Sequence, residues 1–172
     1  AFQPSGALLS AQMPWRAGGQ TAVLPLRTIM EQLRTFTTIS LHVRIGDRAF
    51  NHEKDVVAAG SLGPYLSKKA ASDVMRMFAC AEEITAALEK EATAESKPIR
   101  WVVASDDASV RHYAMQKYPD KAMALDVLAS HDYAAARRDE DSRFDMFAEM
   151  QLLAEGTHFI PTASVCCAVS LL

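Results

Sequence analysis

TTISLHVRIGD, residues Thr37–Asp47, carries the pattern on which the fold prediction depends. Apolar Ile39, Leu41 and Val43 alternate with polar side chains, and the segment opens with β-branched residues. Because successive side chains of a strand point to opposite faces, this alternation predicts a strand over 37–44. The glycine and aspartate at 46–47 end the strand, and a polar loop is predicted over 48–64.

A second strand is predicted at Arg100–Ala104, which reads RWVVA. Its apolarity is continuous rather than alternating, as is typical of a strand that is buried on both faces of a parallel sheet. Asp106 or Asp107 then caps a helix over 108–118, which Pro119 closes. Further strands are predicted over 123–127 and 158–162, and further helices over 25–34, 72–90 and 144–154.

The order of these elements predicts the fold class. Strands that alternate with helices of this length indicate βαβ units, so we expect an α/β fold with a parallel sheet flanked by helices. Residues 1–22 are rich in proline and glycine and are predicted to be irregular, with at most a short helix over Ser5–Met13. Residues 129–143 are predicted to be a polar loop or exposed helix face, and 163–172 to begin another helix.

Composition excludes several classes of protein. The chain has 172 residues, about one domain, and 49% of them are hydrophobic, which is enough for a core. A formal net charge of −3 argues against nucleic acid as a partner. No apolar run approaches the roughly 20 residues of a membrane helix, and no His/Cys cluster has metal-ligand spacing. Cys80, Cys166 and Cys167 are either buried reduced thiols or include a bridge from Cys80 to the pair.

Polar side chains cluster where the predicted strands end. In open α/β sheets, ligands bind in the crevice beyond the carboxyl ends of the strands. The sequence therefore predicts one crevice that suits an anionic ligand rich in hydroxyl groups. The residues that line it are Arg44 and Asp47 after the first strand, Ser105, Asp106 and Asp107 after the second, and Thr162 and Ser164 after the last.

Arg44 has the most specific chemistry of this set. Its planar, permanently charged guanidinium matches phosphate oxygens, so it is suited to hold a diphosphate and to stabilise charge on a leaving group. The alternative is an ion pair with Asp47 that fixes the loop. His42 lies on the same strand face and is either a ligand-contacting residue or a hydrogen-bonded core histidine.

Three carboxylates also have two interpretations each. Asp106 and Asp107 suit ribose or sugar hydroxyls, or one of them caps the following helix. Glu149 lies in the middle of a predicted helix beside apolar residues, where a half-buried carboxylate needs a partner. That partner is either the amino edge of a purine or a lysine or arginine of the chain.

Common phosphate-binding and nucleophile motifs are absent. The sequence contains neither GxGxxG nor GxxxxGK[ST], and it contains no GxSxG elbow. We therefore exclude nucleotide hydrolysis by a P-loop and redox chemistry with a dinucleotide.

Three blocks in order resemble the fucosyltransferase superfamily, which includes the α-1,6-fucosyltransferases, the protein O-fucosyltransferases and plant and algal relatives. Residues 40–47, SLHVRIGD, are similar to its His-x-Arg-x-Gly/Thr-Asp segment. Residues 101–107, WVVASDD, resemble the family strand that ends in Ala-Ser/Thr-Asp, and Tyr118-Pro119 follows the next helix as in the family. The third block runs from AEMQLLA at 148–154 to Thr162-Ala163-Ser164.

The resemblance implies a fold and an activity. The chain would be the Rossmann-like, C-terminal half of a GT-B glycosyltransferase, a single donor domain over 1–172 that belongs to a longer two-domain protein. GDP-fucose would be the donor of an inverting fucosyl transfer to a glycan or protein acceptor, without a metal or other cofactor. The acceptor domain would lie outside this chain, and the location would be the lumen of the secretory pathway or the Golgi.

The resemblance also implies residue roles. His42 would lie near the guanine or ribose, and Arg44 would contact the β-phosphate and assist the departure of GDP. Glu149 stands where the family has an acidic residue that binds the guanine edge. Thr162 and Ser164 fall in the turn beside the phosphates. His52 and Glu53 occupy the region of a family carboxylate, and either is a candidate general base.

One departure from the family supports a different class of function. Val165-Cys166 stands where the family turn continues with another serine. A degenerate, non-catalytic domain that acts as a structural or interaction module in a larger assembly is therefore the alternative. A glycosyltransferase that uses another nucleotide sugar is a third interpretation.

Overall fold

The computed structural model describes residues 5–45, 68–127 and 140–162. In these residues, helices lie on both faces of a six-stranded sheet. The helices are α1 (Gly6–Ser10), α2 (Leu26–Leu33), α3 (Lys68–Glu91), α4 (Ala108–Lys117) and α5 (Glu140–Ala154). The strands are β1 (Gln12–Ala17), β2 (Gln20–Pro25), β3 (Thr37–Val43), β4 (Ile99–Ser105), β5 (Ala122–Leu125) and β6 (His158–Pro161).

The strand order β2-β1-β5-β4-β3-β6 contains a parallel core of four strands. β3 pairs in parallel with β4 on one side and with β6 on the other, and β4 pairs in parallel with β5. The chain therefore moves outward from β3 to β4 and β5 and then returns to the far side of β3. This order is the Rossmann-like one, and it places the topological switch point between the carboxyl ends of β3 and β6. The predicted α/β class is confirmed.

Alternation along the central strands produces two cores. Ile39, Leu41 and Val43 of β3 pack with α3 and α4 on one face of the sheet. On the other face, Val102 of β4 and Met123 of β5 pack with α1, α2 and α5. β4 contributes apolar side chains to both cores. Its apolar run is therefore continuous because the strand is buried on both faces, as the sequence predicted.

The two faces also explain the switch point. Helices α3 and α4, which connect β3 to β4 and β4 to β5, lie on one face, and α5, which precedes β6, lies on the other. Crossovers between parallel strands are right-handed. When the chain adds its next strand in the opposite direction across the sheet, the connecting helix therefore lies on the opposite face. In this class of fold, such a reversal leaves a crevice at the carboxyl ends of the two strands that flank it. Here those strands are β3 and β6.

The prediction of an irregular segment over 1–22 is wrong. Residues 12–25 form the β1–β2 hairpin, which closes through Gly18 and Gly19 with φ of 57° and 75°. Two central residues with positive φ form the tight turn that matches the twist of a hairpin, and glycine adopts this conformation without strain. β1 also pairs antiparallel with β5, where Trp15 lies opposite Leu125, so this hairpin extends the parallel core. The short helix predicted in this segment is α1.

The other predicted elements are confirmed with small shifts of their ends. α2 begins directly after Pro25, which is its N-terminal cap residue, and α5 begins at Glu140 rather than Phe144. The loop predicted over 48–64, the helix predicted over 163–172 and residues 129–139 of the predicted polar segment lie outside the described residues. None of the described helices has the length and apolarity that crossing a membrane requires. Cys80 is buried in α3, and Cys166 and Cys167 also lie outside the described residues.

Side chains at the amino edge of the sheet anchor α5 and β6 there. The Thr157 hydroxyl donates to the carbonyl of Thr38 at 3.0 Å. Arg34, whose side chain is 62% exposed, forms two hydrogen bonds of 2.9 Å with the carboxylate of Glu155. These contacts lie at the opposite edge from the predicted crevice, so substitutions of their residues are matched controls for substitutions at the crevice.

Candidate functional site

Thr162 joins the two strands that flank the switch point. Its Oγ1 accepts a hydrogen bond from the backbone N–H of Arg44 at 2.7 Å and donates to the carbonyl of His42, also at 2.7 Å. Thr162 directly follows β6, and the two backbone groups belong to the end of β3. One hydroxyl thus fixes the backbone at the point where the ligand crevice of this fold lies.

Asp106 ties the same backbone to the end of β4. Its Oδ1 accepts a hydrogen bond from the N–H of Ile45 at 2.8 Å, and its Oδ2 lies 4.0 Å from Nε of Arg44. The Asp106 side chain is 13% exposed, whereas the Arg44 side chain is 66% exposed. The ends of β3, β4 and β6 are therefore held together by Thr162 and Asp106, and the Arg44 guanidinium projects from this junction into solvent.

Arg44 is held at its backbone and little constrained at its guanidinium. At 4.0 Å its contact with Asp106 is an ion pair without a hydrogen bond, and exposed pairs contribute about 0–1 kcal/mol. The N–H fork is thus accessible to an anion with phosphate or carboxylate geometry. As the alternative to phosphate binding, the sequence predicted an ion pair of Arg44 with Asp47, which lies outside the described residues. The described partner is Asp106.

The two adjacent aspartates have different roles. Asp107 is the N-terminal cap of α4, and its Oδ1 accepts a hydrogen bond from the N–H of Ser109 at 2.7 Å. Asp106 instead faces the β3 end. The sequence left open which of the two is the cap, and the structure assigns it to Asp107. A contact from either residue to ligand hydroxyls remains a prediction.

Glu149 lies on α5 at this edge and has an arginine partner. Its Oε1 is 3.8 Å from the guanidinium of Arg111, which is the alternative that the sequence allowed. The Glu149 side chain is 21% exposed, and its buried Oε1 accepts no hydrogen bond from the described residues. The carboxylate therefore retains acceptor capacity beside Arg111.

The surroundings of Glu149 favour its neutral form more than water does. Burial raises the pKa of its carboxyl to about 7, against an opposing contribution from Arg111. The negative charges of Asp145 and Asp106 raise the pKa further. Desolvation thus dominates over the arginine at this position. Glu149 changes its charge near neutral pH.

Arg111 is a site residue that the sequence reasoning missed. It lies in the first turn of α4, its side chain is 4% exposed, and its guanidinium donates to the carbonyls of Ser105 and Val127. A positive charge in the first turn interacts unfavourably with the helix dipole, so local contacts must stabilise it there. Its spacing with apolar Ala114 and Met115 places it on the buried face of α4, and this was the available signal.

His42 is half-buried on β3. Leu41 and Val43 point to the face of α3 and α4, so alternation places His42 on the face of α5 and Glu149. Among the other predicted site residues, Asp47, Glu53 and Ser164 lie outside the described residues, as does His52. The structure thus brings together Arg44, Asp106 and Thr162, with His42 on the same strand end.

Within the described ranges, no three His, Cys, Asp or Glu side chains are grouped so that they could hold a metal ion. The arginines described at this edge are Arg44, which lies beside Asp106, and Arg111, which forms a buried pair with Glu149. Arg44 carries the exposed guanidinium that the described part of this edge offers to an anionic ligand.

Comparisons with known proteins give a likeness to a solved structure. No protein-family model matches the chain, and no curated protein matches it. Among solved structures, it is similar to the crystal structure of NodZ alpha-1,6-fucosyltransferase co-crystallized with GDP, with a TM-score of 0.41 and 16% sequence identity. The similarity covers 86% of this chain and 40% of that one, so this chain spans less than half the length of that protein. This is a likeness of fold, and no residue role follows from it.

Proposed function

We propose that this chain is the nucleotide-sugar-binding domain of a fucosyltransferase-like glycosyltransferase and that it binds GDP-fucose at the β3–β6 switch point. The observation that supports this most is the position of Arg44. Its backbone is fixed by Thr162, and its guanidinium is exposed at the point where this fold binds ligands. The three sequence blocks that resemble the fucosyltransferase superfamily contain this residue and both of its neighbours, Asp106 and Thr162.

Arg44 is proposed to bind the diphosphate. Two parallel N–H groups fit two phosphate oxygens, and such charge-assisted contacts are stronger than neutral hydrogen bonds. In the donor complex, the guanidinium replaces its loose contact with Asp106 by phosphate contacts. This exchange loses little, because the Arg44–Asp106 pair has no hydrogen bond to break.

The base and ribose are proposed to lie over the face that carries His42 and Glu149. Guanine offers its N1–H and its N2 amino group along one edge, and an ionised carboxylate can accept from both. The unfilled acceptor capacity of Glu149 fits this role. Asp106 is proposed to hold the backbone next to Arg44, through the N–H of Ile45, and to contact a hydroxyl of the donor.

The proposed reaction is an inverting displacement. A hydroxyl of a glycan or protein acceptor attacks the anomeric carbon of fucose, the bond from that carbon to the GDP oxygen breaks, and the hydroxyl proton passes to a base. Arg44 stabilises the negative charge that develops on the departing GDP, so no metal is required for that role. Glu53 is the proposed base on the resemblance alone. An acceptor domain elsewhere in the protein and a secretory or Golgi location complete the proposal.

Calorimetry on the full-length protein tests this function. We expect GDP to bind and UDP to bind at least about tenfold more weakly, since uracil lacks the paired donors of guanine and so leaves a polar group unmatched. Absence of GDP binding would reject the proposal and leave the non-catalytic module. Binding of UDP equal to that of GDP would favour a different nucleotide sugar. Release of GDP from GDP-fucose in the presence of acceptor glycans then tests transfer itself.

A further inference from the structure

Arg111 is a buried arginine that the proposed donor contacts leave unused. We propose that Arg111 is a positioning residue, which ties together the ends of β4 and β5 and favours the ionised form of Glu149, the form that accepts hydrogen bonds from a base with paired N–H donors. This inference rests on the proposed function, because it requires a nucleotide base at Glu149. It adds a residue that none of the three sequence blocks assigns to the site.

The contacts of Arg111 join three elements. From the first turn of α4, its guanidinium donates to the carbonyl of Ser105, the last residue of β4, and to that of Val127, two residues after β5. It also lies 3.8 Å from Glu149 on α5. A guanidinium presents its donors in a rigid fork, so it sets the spacing of groups that it bridges. A lysine ammonium has no such fork.

The charge of Arg111 acts on Glu149 against all its other described electrostatic influences. Burial raises the pKa of the Glu149 carboxyl, Arg111 lowers it, and Asp145 on α5 and Asp106 after β4 raise it. His42 is the titratable residue that β3 contributes on this face. If a neutral residue replaces Arg111, burial and the charges of Asp145 and Asp106 all favour the protonated carboxyl. Arg111 thus sets the pH at which Glu149 ionises.

The ionisation state of Glu149 decides what it can bind. A carboxylate accepts two hydrogen bonds, whereas a protonated carboxyl donates one and so opposes one donor of the base. Affinity for a guanine nucleotide is therefore expected to rise with pH as Glu149 ionises. Replacing Arg111 by a neutral residue shifts this rise in affinity to higher pH.

Three variants of the full-length protein separate charge from structure. Arg111→Gln retains N–H donors for the carbonyls but has no charge, and Arg111→Lys retains the charge without the fork. Glu149→Gln removes the titration, so its pH profile gives the contribution of the ionising phosphate of GDP. GDP affinity is measured by calorimetry from about pH 6 to about pH 8. The carboxyl carbon of Glu149, identified by its loss in Glu149→Gln, is followed by NMR without nucleotide.

We expect the ionisation midpoint of Glu149 to rise by about one pH unit or more in Arg111→Gln, both by NMR and in the GDP profile. In Arg111→Lys we expect an unchanged midpoint and a lower melting temperature. If Arg111→Gln does not fold, Arg111→Lys carries the test, because a raised midpoint in that variant contradicts the proposal. GDP binding with the same midpoint in Arg111→Gln and wild type overturns this inference alone. Absence of GDP binding in wild type overturns the proposed function as well, whatever the NMR titration gives.

Discussion

The hydroxyl of Thr162 accepts from the backbone N–H of Arg44 and, at the same distance of 2.7 Å, donates to the carbonyl of His42. One side chain after β6 therefore satisfies two backbone groups at the end of β3. The orientation of Arg44 is thus linked to the segment that closes the sheet on the far side of the switch point.

The first prediction concerns this link. Thr162→Val keeps the shape of the side chain and removes both hydrogen bonds, so the free energy of unfolding falls by about 1–3 kcal/mol. GDP affinity falls with it, because the backbone that carries Arg44 is released. Chemical denaturation and calorimetry measure the two effects.

Two control variants isolate the hydroxyl of Thr162. Thr162→Ser retains it and should retain affinity. Thr157→Val removes a hydroxyl contact to the Thr38 carbonyl at the amino edge, so it should lower stability without changing affinity. Equal affinity losses in Thr162→Val and Thr157→Val would show that the effect is one of general stability.

The second prediction separates the neighbouring aspartates. Asp107→Ala removes the cap of α4 and lowers the free energy of unfolding by about 1 kcal/mol, with little change in GDP affinity. Asp106→Ala releases the N–H of Ile45 and lowers affinity. Thermal unfolding and calorimetry on both variants test the division, and an affinity loss of the same size in Asp107→Ala would contradict it.

The third prediction concerns the pH dependence of stability. The pKa of Glu149 is raised to about 7 in the folded protein from an ordinary value of 4.5. Between these values the folded state binds more protons than the unfolded state, so stability falls as pH rises through this interval and stays lower above it. Glu149→Gln removes this loss and should gain roughly 3 kcal/mol relative to wild type above neutrality.

Urea denaturation at about pH 4 and about pH 8 measures this difference. We expect the variant and wild type to differ far less at the lower pH, where Glu149 is protonated in both states. A stability difference that is the same at both pH values would contradict the raised pKa. A gain in stability together with weaker GDP binding is typical of a residue retained for function.

The sequence predicted the central strands because their signals are local. Ile39, Leu41 and Val43 recur at every second position because they share one face of β3. The apolar run of β4 is continuous because both of its faces are buried. The carboxyl edge of the sheet could also be predicted, since parallel strands all end there. Arg44, Asp106 and Thr162 therefore come together as expected from their positions after strands.

Contacts between distant parts of the chain account for what the sequence did not show. β1 was missed because its pairing with β5 joins Trp15 to Leu125, and Pro14 in its middle argues against a strand. Arg111 was missed because its partners, Val127 and Glu149, lie far along the chain. Patterns of apolar residues report which face is buried, and they do not identify the partner of a buried charge.

The affinity of Arg44→Ala for GDP compared with GMP tests the central claim most directly. Arg34→Ala is the matched control, because Arg34 is 62% exposed against 66% for Arg44 and lies at the opposite edge of the sheet. If Arg44 holds the β-phosphate, its loss weakens GDP by roughly 2 kcal/mol, about thirtyfold, and GMP much less. Arg34→Ala should leave both affinities unchanged. Equal weakening of GDP and GMP, or unchanged GDP affinity in Arg44→Ala, would contradict the assignment of Arg44 to the diphosphate.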